Sequence, residues 1–117
     1  MKNKTLFWES KRLNRAFRAS VPPGSGVYVI VAVRRVLDFP AQLDLLYVGK
    51  SKNLRRRFIE HSDPWSEHNL GLKQVAFDVP LEFWHASVSE DALDSVEREL
   101  IQQANPSANV VTYWREK

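Results

Sequence analysis

Cysteine is absent from the 117 residues, which excludes disulfide bridges, thiolate metal sites and cysteine nucleophiles. That absence also disfavours a small secreted scaffold held together by disulfides. No stretch reaches the roughly 18 consecutive apolar residues that a membrane span requires. The basic start at 1–4 is followed by too short an apolar run for a signal peptide. We therefore expect a cytoplasmic protein that does not act in a membrane.

The charges are unevenly distributed along a chain whose length suits one domain. Residues 1–61 contain 13 Lys and Arg against 4 Asp and Glu, whereas residues 62–117 contain 4 against 10. Contacts from Lys and Arg to phosphate are the main source of nucleic-acid affinity, so the basic half fits a surface that binds a polyanion. The alternative is a solvated basic face without a specific function.

Hydrophobic periodicity predicts both strands and helices within one α+β domain. Residues 34–41 are predicted to connect two strands, because Pro40 interrupts strand pairing. Asn53 and Ser89 are the predicted helix N-caps. The predicted strands are 26–33, 43–49, 81–87 and a short strand at 110–114, and the predicted helices are 5–19, 54–61 and 90–104.

The helix predicted at 90–104 carries one carboxylate on its apolar stripe. Glu97 lies three residues before Leu100 and four before Ile101, so it shares their face. A buried carboxylate is costly unless it pairs with a cation or binds a metal. The alternative is a glutamate at the edge of the stripe that reaches water or makes an ordinary ion pair.

The helix predicted at 54–61 repeats this anomaly with the opposite charge. Arg57 shares the inward face of Leu54 and His61, while Arg55 and Arg56 point outward. Arg57 is therefore placed to reach over the sheet, and its neighbours to contact phosphate or solvent. The alternative is that Arg57 simply neutralises Glu97.

Two predicted strands contain tyrosines that can face each other. In an antiparallel hairpin, Tyr28 opposite Tyr47 would leave 34–41 as the loop. Opposed residues share a face, so both phenols would emerge together. The alternative is an aromatic pair that serves packing only.

Four segments, in this order and at this spacing, resemble the GIY-YIG nuclease family. The two name-giving motifs appear as Gly26-Val27-Tyr28 and Tyr47-Val48-Gly49. The following segment, 50–58, is similar to the strand-to-helix segment of the family with its essential arginine at Arg57, and 97–109 to its metal-binding glutamate helix. The distance from the first motif to the second exceeds that of the usual compact hairpin, which predicts an extended loop.

The resemblance implies an endonuclease that hydrolyses phosphodiester bonds in DNA and depends on a divalent metal. Glu97 would bind Mg²⁺ or Mn²⁺, and Arg57 would hold a non-bridging oxygen of the scissile phosphate. One tyrosine would orient or deprotonate the attacking water. The resemblance favours Tyr28, with Tyr47 binding the phosphate or steadying the other phenol.

Other polar residues are then expected to contact the substrate. The first predicted helix is expected to position DNA by contacting the phosphate backbone of the DNA. For His61, the alternative is a helix-end histidine that packs on the sheet. For Asn109, the alternative is that it secures the chain after the glutamate helix. The expected substrate contacts are Gly49, Lys50, Lys52, Arg55, Arg56, His61 and Asn109, together with Lys11, Arg15 and Arg18 of the first helix.

The resemblance implies the α+β fold of that family, in which helices flank a small central antiparallel sheet of about three strands. It places a basic extension and linker at 1–25 and the nuclease domain at 26–117. Specificity would come from a homodimer or from a protein partner, because the domain contains no recognisable groove-reading module. The pathway, such as repair or restriction, does not follow from the sequence. A non-catalytic nucleic-acid-binding module that retains the fold is the alternative function.

Overall fold

The computed structural model describes residues 5–63 and 80–106. One short 3₁₀ helix lies before the second strand and another before the second α-helix. Among the described residues, no helix is long and apolar enough to cross a bilayer. The strands are β1 (Glu9–Arg12), β2 (Gly26–Val36), β3 (Phe39–Ser51) and β4 (Leu81–Ser87); the helices are α1 (Leu54–His61) and α2 (Leu93–Ala104); the 3₁₀ helices are Arg15–Ser20 and Glu90–Ala92.

The described strands form one antiparallel sheet in the order β1-β4-β2-β3, which confirms the predicted α+β class with one strand more than expected. The central strand β2 is buried on both faces, as its continuous apolar run predicts. Tyr28 faces the α1 side, where it packs with Leu54 and Phe58. Val27 faces the α2 side, where it packs with Leu93. The two helices therefore cover opposite faces of the sheet.

The helix predicted at 5–19 is wrong, because this segment forms β1 and a 3₁₀ helix. Glu9 pairs with His85 of β4, and the Leu13 N–H donates to the carbonyl of Leu81 over 2.8 Å. These hydrogen bonds pair the backbone groups along the exposed edge of β4. The stability gained from this long-range pairing outweighs the local preference of residues 5–19 for a helix. Asn14 then caps the 3₁₀ helix, since its side chain accepts from the Ala16 N–H at 2.9 Å.

The loop predicted at 34–41 is also wrong, because β2 and β3 continue to a two-residue turn. Leu37 and Asp38 form that turn with φ angles of 51° and 69°, and Val36 pairs with Phe39 across it. Pro40 fits within β3 because this strand lies at the sheet edge, where a missing N–H donor is tolerated.

The helix limits predicted at 54–61 and at Ala104 are confirmed. Asn53 caps α1, and its side chain accepts from the Arg56 N–H at 3.0 Å. Ser89 occupies the predicted N-cap position, but its side chain makes no capping bond, and the chain first forms a 3₁₀ turn at Glu90–Ala92. The predicted strand at 110–114 lies outside the described residues.

The segment before β2 is bonded into the domain. Arg55 donates through Nε to the carbonyl of Val21 at 2.8 Å, and the Leu54 N–H donates to the carbonyl of Gly24 at 2.9 Å. Ser25 donates through Oγ to the carbonyl of Val88 at 2.6 Å. The N-terminal segment therefore fixes the start of α1 and the end of β4, while the boundary at residue 25 stays a prediction.

We expect Gly26→Ala to destabilise the fold by about 1–3 kcal/mol through overpacking. A Cβ at this position would lie 2.3 Å from the carbonyl oxygen of Ala86 and 2.7 Å from Cδ1 of Leu54. Gly24→Ala is the matched control, because a Cβ there meets no described atom within 4 Å. Urea unfolding of both variants tests this, and equal midpoints would contradict the steric argument.

Candidate active site

The two motif tyrosines lie together on the α1 face of the sheet. Their ring centroids are 6.1 Å apart, although the predicted register is wrong: Tyr28 pairs with Gly49, and Tyr47 with Ile30. The observed register differs from the predicted one by two residues at this position. Because side chains alternate with a period of two, that shift keeps both phenols on one face.

Gly49 allows the ring of Tyr28 to lie against β3. A Cβ at Gly49 would lie 2.4 Å from Cζ and 2.5 Å from Oη of Tyr28. No other residue type leaves this space, so the glycine of the second motif positions the tyrosine of the first. Its expected approach to a phosphate stays a prediction.

His61, the last residue of α1, completes an aromatic cluster with the two tyrosines. Its Nε2 lies 3.0 Å from Oη of Tyr28, and its ring centroid lies 5.5 Å from that of Tyr28 and 5.7 Å from that of Tyr47. The donor in this bond depends on the imidazole tautomer. His61 thus packs on the sheet and also engages the phenol.

The two phenols differ in accessibility. Tyr28 is 2% exposed and stacks on Phe83 with ring centroids 4.9 Å apart, whereas Tyr47 is half-buried. Phe58 supports Phe83 from α1 through an edge-on contact at 5.1 Å. The core therefore holds Tyr28 in place, and Tyr47 forms the more accessible part of the cluster.

Arg57 and Arg56 share one carboxylate on their own helix. Nη1 of Arg57 lies 3.0 Å from Oε1 of Glu60, and Nε of Arg56 lies 3.2 Å from Oε2. Partial burial raises the pKa of Glu60, but the two arginines together lower it below its usual value. The interpretation that Arg57 neutralises Glu97 is wrong for the described residues, because each of them pairs with another partner.

Glu97 belongs to a charged cluster on the α2 side of the sheet. Nζ of Lys50 lies 3.3 Å from Oε1 of Glu97 and also binds Oδ1 of Asp94. The hydrogen bond to Asp94 and the charge of Glu97 raise the pKa of Lys50, and the Lys50 ammonium lowers the pKa of Asp94. The Glu97 side chain is 22% exposed, so the ion pair expected as an alternative is present and solvent still reaches this carboxylate.

The aromatic and charged clusters meet at the edge strand β3. Tyr47 and Gly49 face α1, whereas Val48 and Lys50 face α2. The structure thus brings the two phenols together with His61, and separately joins Glu97 to Lys50. Consecutive residues of one strand link the two groups.

The remaining expected substrate contacts have different surroundings. Arg55 donates to the carbonyls of Val21 and Ala19, so its guanidinium is engaged in packing. Lys52 is exposed, and Asn109 lies outside the described residues. Lys11 lies on β1, 3.7 Å from Glu9, instead of on a helix, and exposed Arg15 and Arg18 lie on the first 3₁₀ helix.

Asp94 is a charged residue that the sequence analysis does not single out, and it pairs with Lys50 although its side chain is exposed. Its position three residues before Glu97 places both carboxylates on one side of α2, and this spacing was the available signal. His85 is 3% exposed, and its Nε2 has no hydrogen-bond partner among the described residues. Burial, followed by the charge of Lys11, lowers the pKa of His85.

Comparison with known proteins yields matches over most of the chain. The family described as the GIY-YIG catalytic domain matches residues 25–110. UvrABC system protein C from Rhodopseudomonas palustris is 33% identical over 96 residues, or 82% of this chain and 12% of the relative. The corresponding protein from Rhodospirillum rubrum is 31% identical over 100 residues, or 83% of this chain and 14% of the relative. The chain thus spans about an eighth of the length of these relatives.

Solved structures show the same fold. The GIY-YIG N-terminal endonuclease domain of UvrC from Thermotoga maritima, bound to magnesium as its catalytic divalent cation, superposes with a TM-score of 0.52 at 21% identity. The match covers 80% of this chain and 92% of that domain. A point mutant of that domain, in which phenylalanine replaces a tyrosine and the catalytic divalent cation is bound, gives a TM-score of 0.53 at 19% identity. That match covers 80% of this chain and 91% of the domain.

Proposed function

Because the chain belongs to the GIY-YIG family, we propose that it is a divalent-metal-dependent endonuclease that hydrolyses phosphodiester bonds in DNA. The observation that carries this proposal is the cluster of Tyr28, Tyr47 and His61, in which the phenols of both motifs meet a histidine on one face of the sheet. The endonuclease domain that shares this fold supports the proposal. The excess of basic residues in the first half of the chain favours DNA as substrate.

The surroundings of Glu97 fit a divalent cation. A partly exposed carboxylate provides the hard oxygen ligand that Mg²⁺ and Mn²⁺ prefer. The Lys50 ammonium pairs with this oxygen, so a metal must displace it. Lys50 retains Asp94 as a second partner, so Glu97 can exchange the ammonium for a metal while the lysine stays paired. When bound, the metal would polarise the phosphate and stabilise the leaving oxygen.

The aromatic cluster is proposed to orient and deprotonate the attacking water. A phenol has an ordinary pKa of about 10, so it needs a proton acceptor to act as a base near neutral pH. Nε2 of His61, 3.0 Å from Oη of Tyr28, is such an acceptor when its tautomer leaves that nitrogen unprotonated. Tyr47 is more accessible and is proposed to bind the phosphate.

Arg57 is proposed to hold a non-bridging oxygen of the scissile phosphate. Its guanidinium must first leave Glu60, and the structure limits the cost of that step because Arg56 keeps Glu60 paired. The Arg57 side chain is 44% exposed, so its ion pair with Glu60 is weak in water. A planar, permanently charged fork suits a phosphate better than a lysine does.

A cleavage assay on supercoiled plasmid and on duplex, branched and single-stranded DNA tests the proposed function. In Mg²⁺ or Mn²⁺ we expect nicking of at least one substrate, and none after chelation with EDTA. A chain that binds these DNAs with salt-dependent affinity but cuts none of them would contradict the proposal and favour the non-catalytic module.

A further inference from the structure

The β2–β3 hairpin extends well beyond the sheet. β4 pairs with β2 as far as Ala32, opposite Leu81, whereas β2 and β3 remain paired up to Val36 and Phe39. Residues 33–43 therefore form a two-stranded ribbon with a turn at its end. This ribbon replaces the loop predicted between the two motifs, and the proposed catalytic roles do not use it.

The tip of the ribbon exposes apolar side chains on a constrained turn. Leu37 is 97% exposed, Phe39 is 68% exposed and Val36 is 48% exposed. Leu37 also has a φ of 51°, a left-handed conformation that suits glycine or asparagine far better than leucine. Neither burial nor turn geometry explains a leucine here, so the tip fits a surface that contacts a partner.

An ion pair braces the ribbon against the sheet. Nη2 of Arg35 lies 2.7 Å from Oε2 of Glu82 on β4, and Nη1 donates to the carbonyl of Asp38 in the turn at 3.2 Å. The indole of Trp84 donates to the other oxygen of Glu82 at 3.2 Å. The tip is thereby fixed in direction relative to the catalytic face.

A cleft of about 580 Å³ at the base of the ribbon is lined from both faces of the sheet, by Ala32 and Arg34 on the face of the tyrosines and by Val33 and Arg35 on the α2 face. Ala32 and Arg34 lie on the same face of β2 as Tyr28, because side chains alternate along a strand. Arg34 donates to the amide oxygen of Gln42 at 3.4 Å, and this neutral partner does not compensate the charge of the guanidinium. Arg35 already compensates one of the two acidic residues in the cleft. The charged residues that line the cleft are Arg12, Arg34, Arg35, Asp44 and Glu82.

We propose that this ribbon is a second DNA-binding element, whose Arg34 contacts a phosphate while the apolar tip enters a groove of the duplex. β-ribbons and apolar wedges are established ways to engage DNA grooves. The arginines around this cleft, of which Arg34 lies on the face of the tyrosines, favour DNA over a second copy of this chain, which would use the apolar tip alone. The expected distance between the ribbon tip and the cut rests on the proposed function, whereas the expected binding of DNA by the ribbon does not.

The length of the ribbon gives the expected spacing. Leu37 lies seven residues beyond Ile30, the partner of Tyr47. At about 3.3 Å per residue this is roughly 23 Å, or about seven base pairs of B-form DNA at about 3.4 Å each. The tip is therefore expected to contact the duplex about seven base pairs from the bond that the enzyme cuts.

Tethered cleavage measures this spacing directly, because the chain contains no cysteine. We expect an iron chelate on Ala41→Cys, an exposed position near the tip, to cut DNA about six or seven base pairs from the site of enzymatic cleavage. The matched control is Ser95→Cys, exposed on α2 two residues before the proposed metal ligand Glu97, which should give cuts near the bond that the enzyme cleaves and none six or seven base pairs away. Uniform cuts by the Ala41→Cys chelate, or cuts only at the enzymatic site, would overturn the proposal.

Binding affinity provides the second measurement. In EDTA, the double variant Leu37→Asn with Phe39→Ser should bind a 30-base-pair duplex at least about ten-fold more weakly, whereas Phe7→Ser, which removes another exposed phenylalanine, should bind within two-fold of the parent. Equal affinity of the parent and the double variant for the duplex would overturn the proposal. A parent that sediments as a dimer and a double variant that sediments as a monomer would also overturn it, because the tip would then bind a second copy of the chain. A parent that binds but never cuts would contradict the proposed function alone.

Discussion

Glu97→Gln is expected to reduce DNA cleavage in Mg²⁺ by about a thousand-fold, because the amide keeps the shape of the carboxylate but loses the charge that holds the metal. Lys50 retains its bond to Asp94, so the fold and the position of β3 relative to α2 should survive. Binding of DNA in EDTA should remain within about two-fold of the parent. The rate of plasmid nicking and an anisotropy titration measure the two effects separately.

Glu99→Gln is the matched control on the same helix. Glu99 is exposed and accepts a hydrogen bond from Gln103 at 3.2 Å, so the same substitution there removes a charge without touching the proposed site. We expect cleavage within two-fold of the parent. If Glu97→Gln cuts as fast as Glu99→Gln, the metal role assigned to Glu97 is wrong.

Tyr28→Phe is expected to slow cleavage by about a hundred-fold or more, the usual cost of losing a positioned acid–base group. The ring still stacks on Phe83 and lies against Gly49, so packing is preserved. Loss of the hydrogen bond to His61 should cost about 1 kcal/mol in the free energy of unfolding. Single-turnover rates as a function of pH, together with urea unfolding, test both parts.

The pH profile distinguishes catalysis from packing in this variant. If the phenol deprotonates the water, its removal should abolish the alkaline rise in rate, whereas a purely structural role would lower the rate equally at all pH values. His61→Gln provides the comparison, because an amide retains hydrogen bonding but cannot accept the proton of the phenol. Tyr28→Phe cleavage within two-fold of the parent would remove Tyr28 from the mechanism.

The features that the sequence predicts well are those set by local patterns. The apolar run of β2, the N-cap at Asn53 and the periodic stripe of α2 each identify their element within a few residues. The family follows from four short motifs that keep their order and spacing, and the family match confirms it. These signals depend on residues close together in the chain.

The features that the sequence fails to predict depend on partners far away in the chain. β1 forms because β4 offers it an edge, and residues 5–19 contain no sign of that partner. The pairing of β2 with β3 shifts after Ile30 and again after Arg34, and a bulge has no local signature that fixes its position. The ion pair between Lys50 and Glu97 joins β3 to α2, so it can be predicted only when the packing of those two elements is known.

The strand order β1-β4-β2-β3 has a consequence for how the protein folds. Glu9 meets His85 only after all the intervening chain has been synthesised, so the outermost ladder has a very high contact order. The β2–β3 hairpin, by contrast, closes through a two-residue turn and can form early. We therefore expect folding to begin at this hairpin and β1 to join the sheet late. Until β1 joins, the backbone groups along that edge of β4 have no strand to pair with.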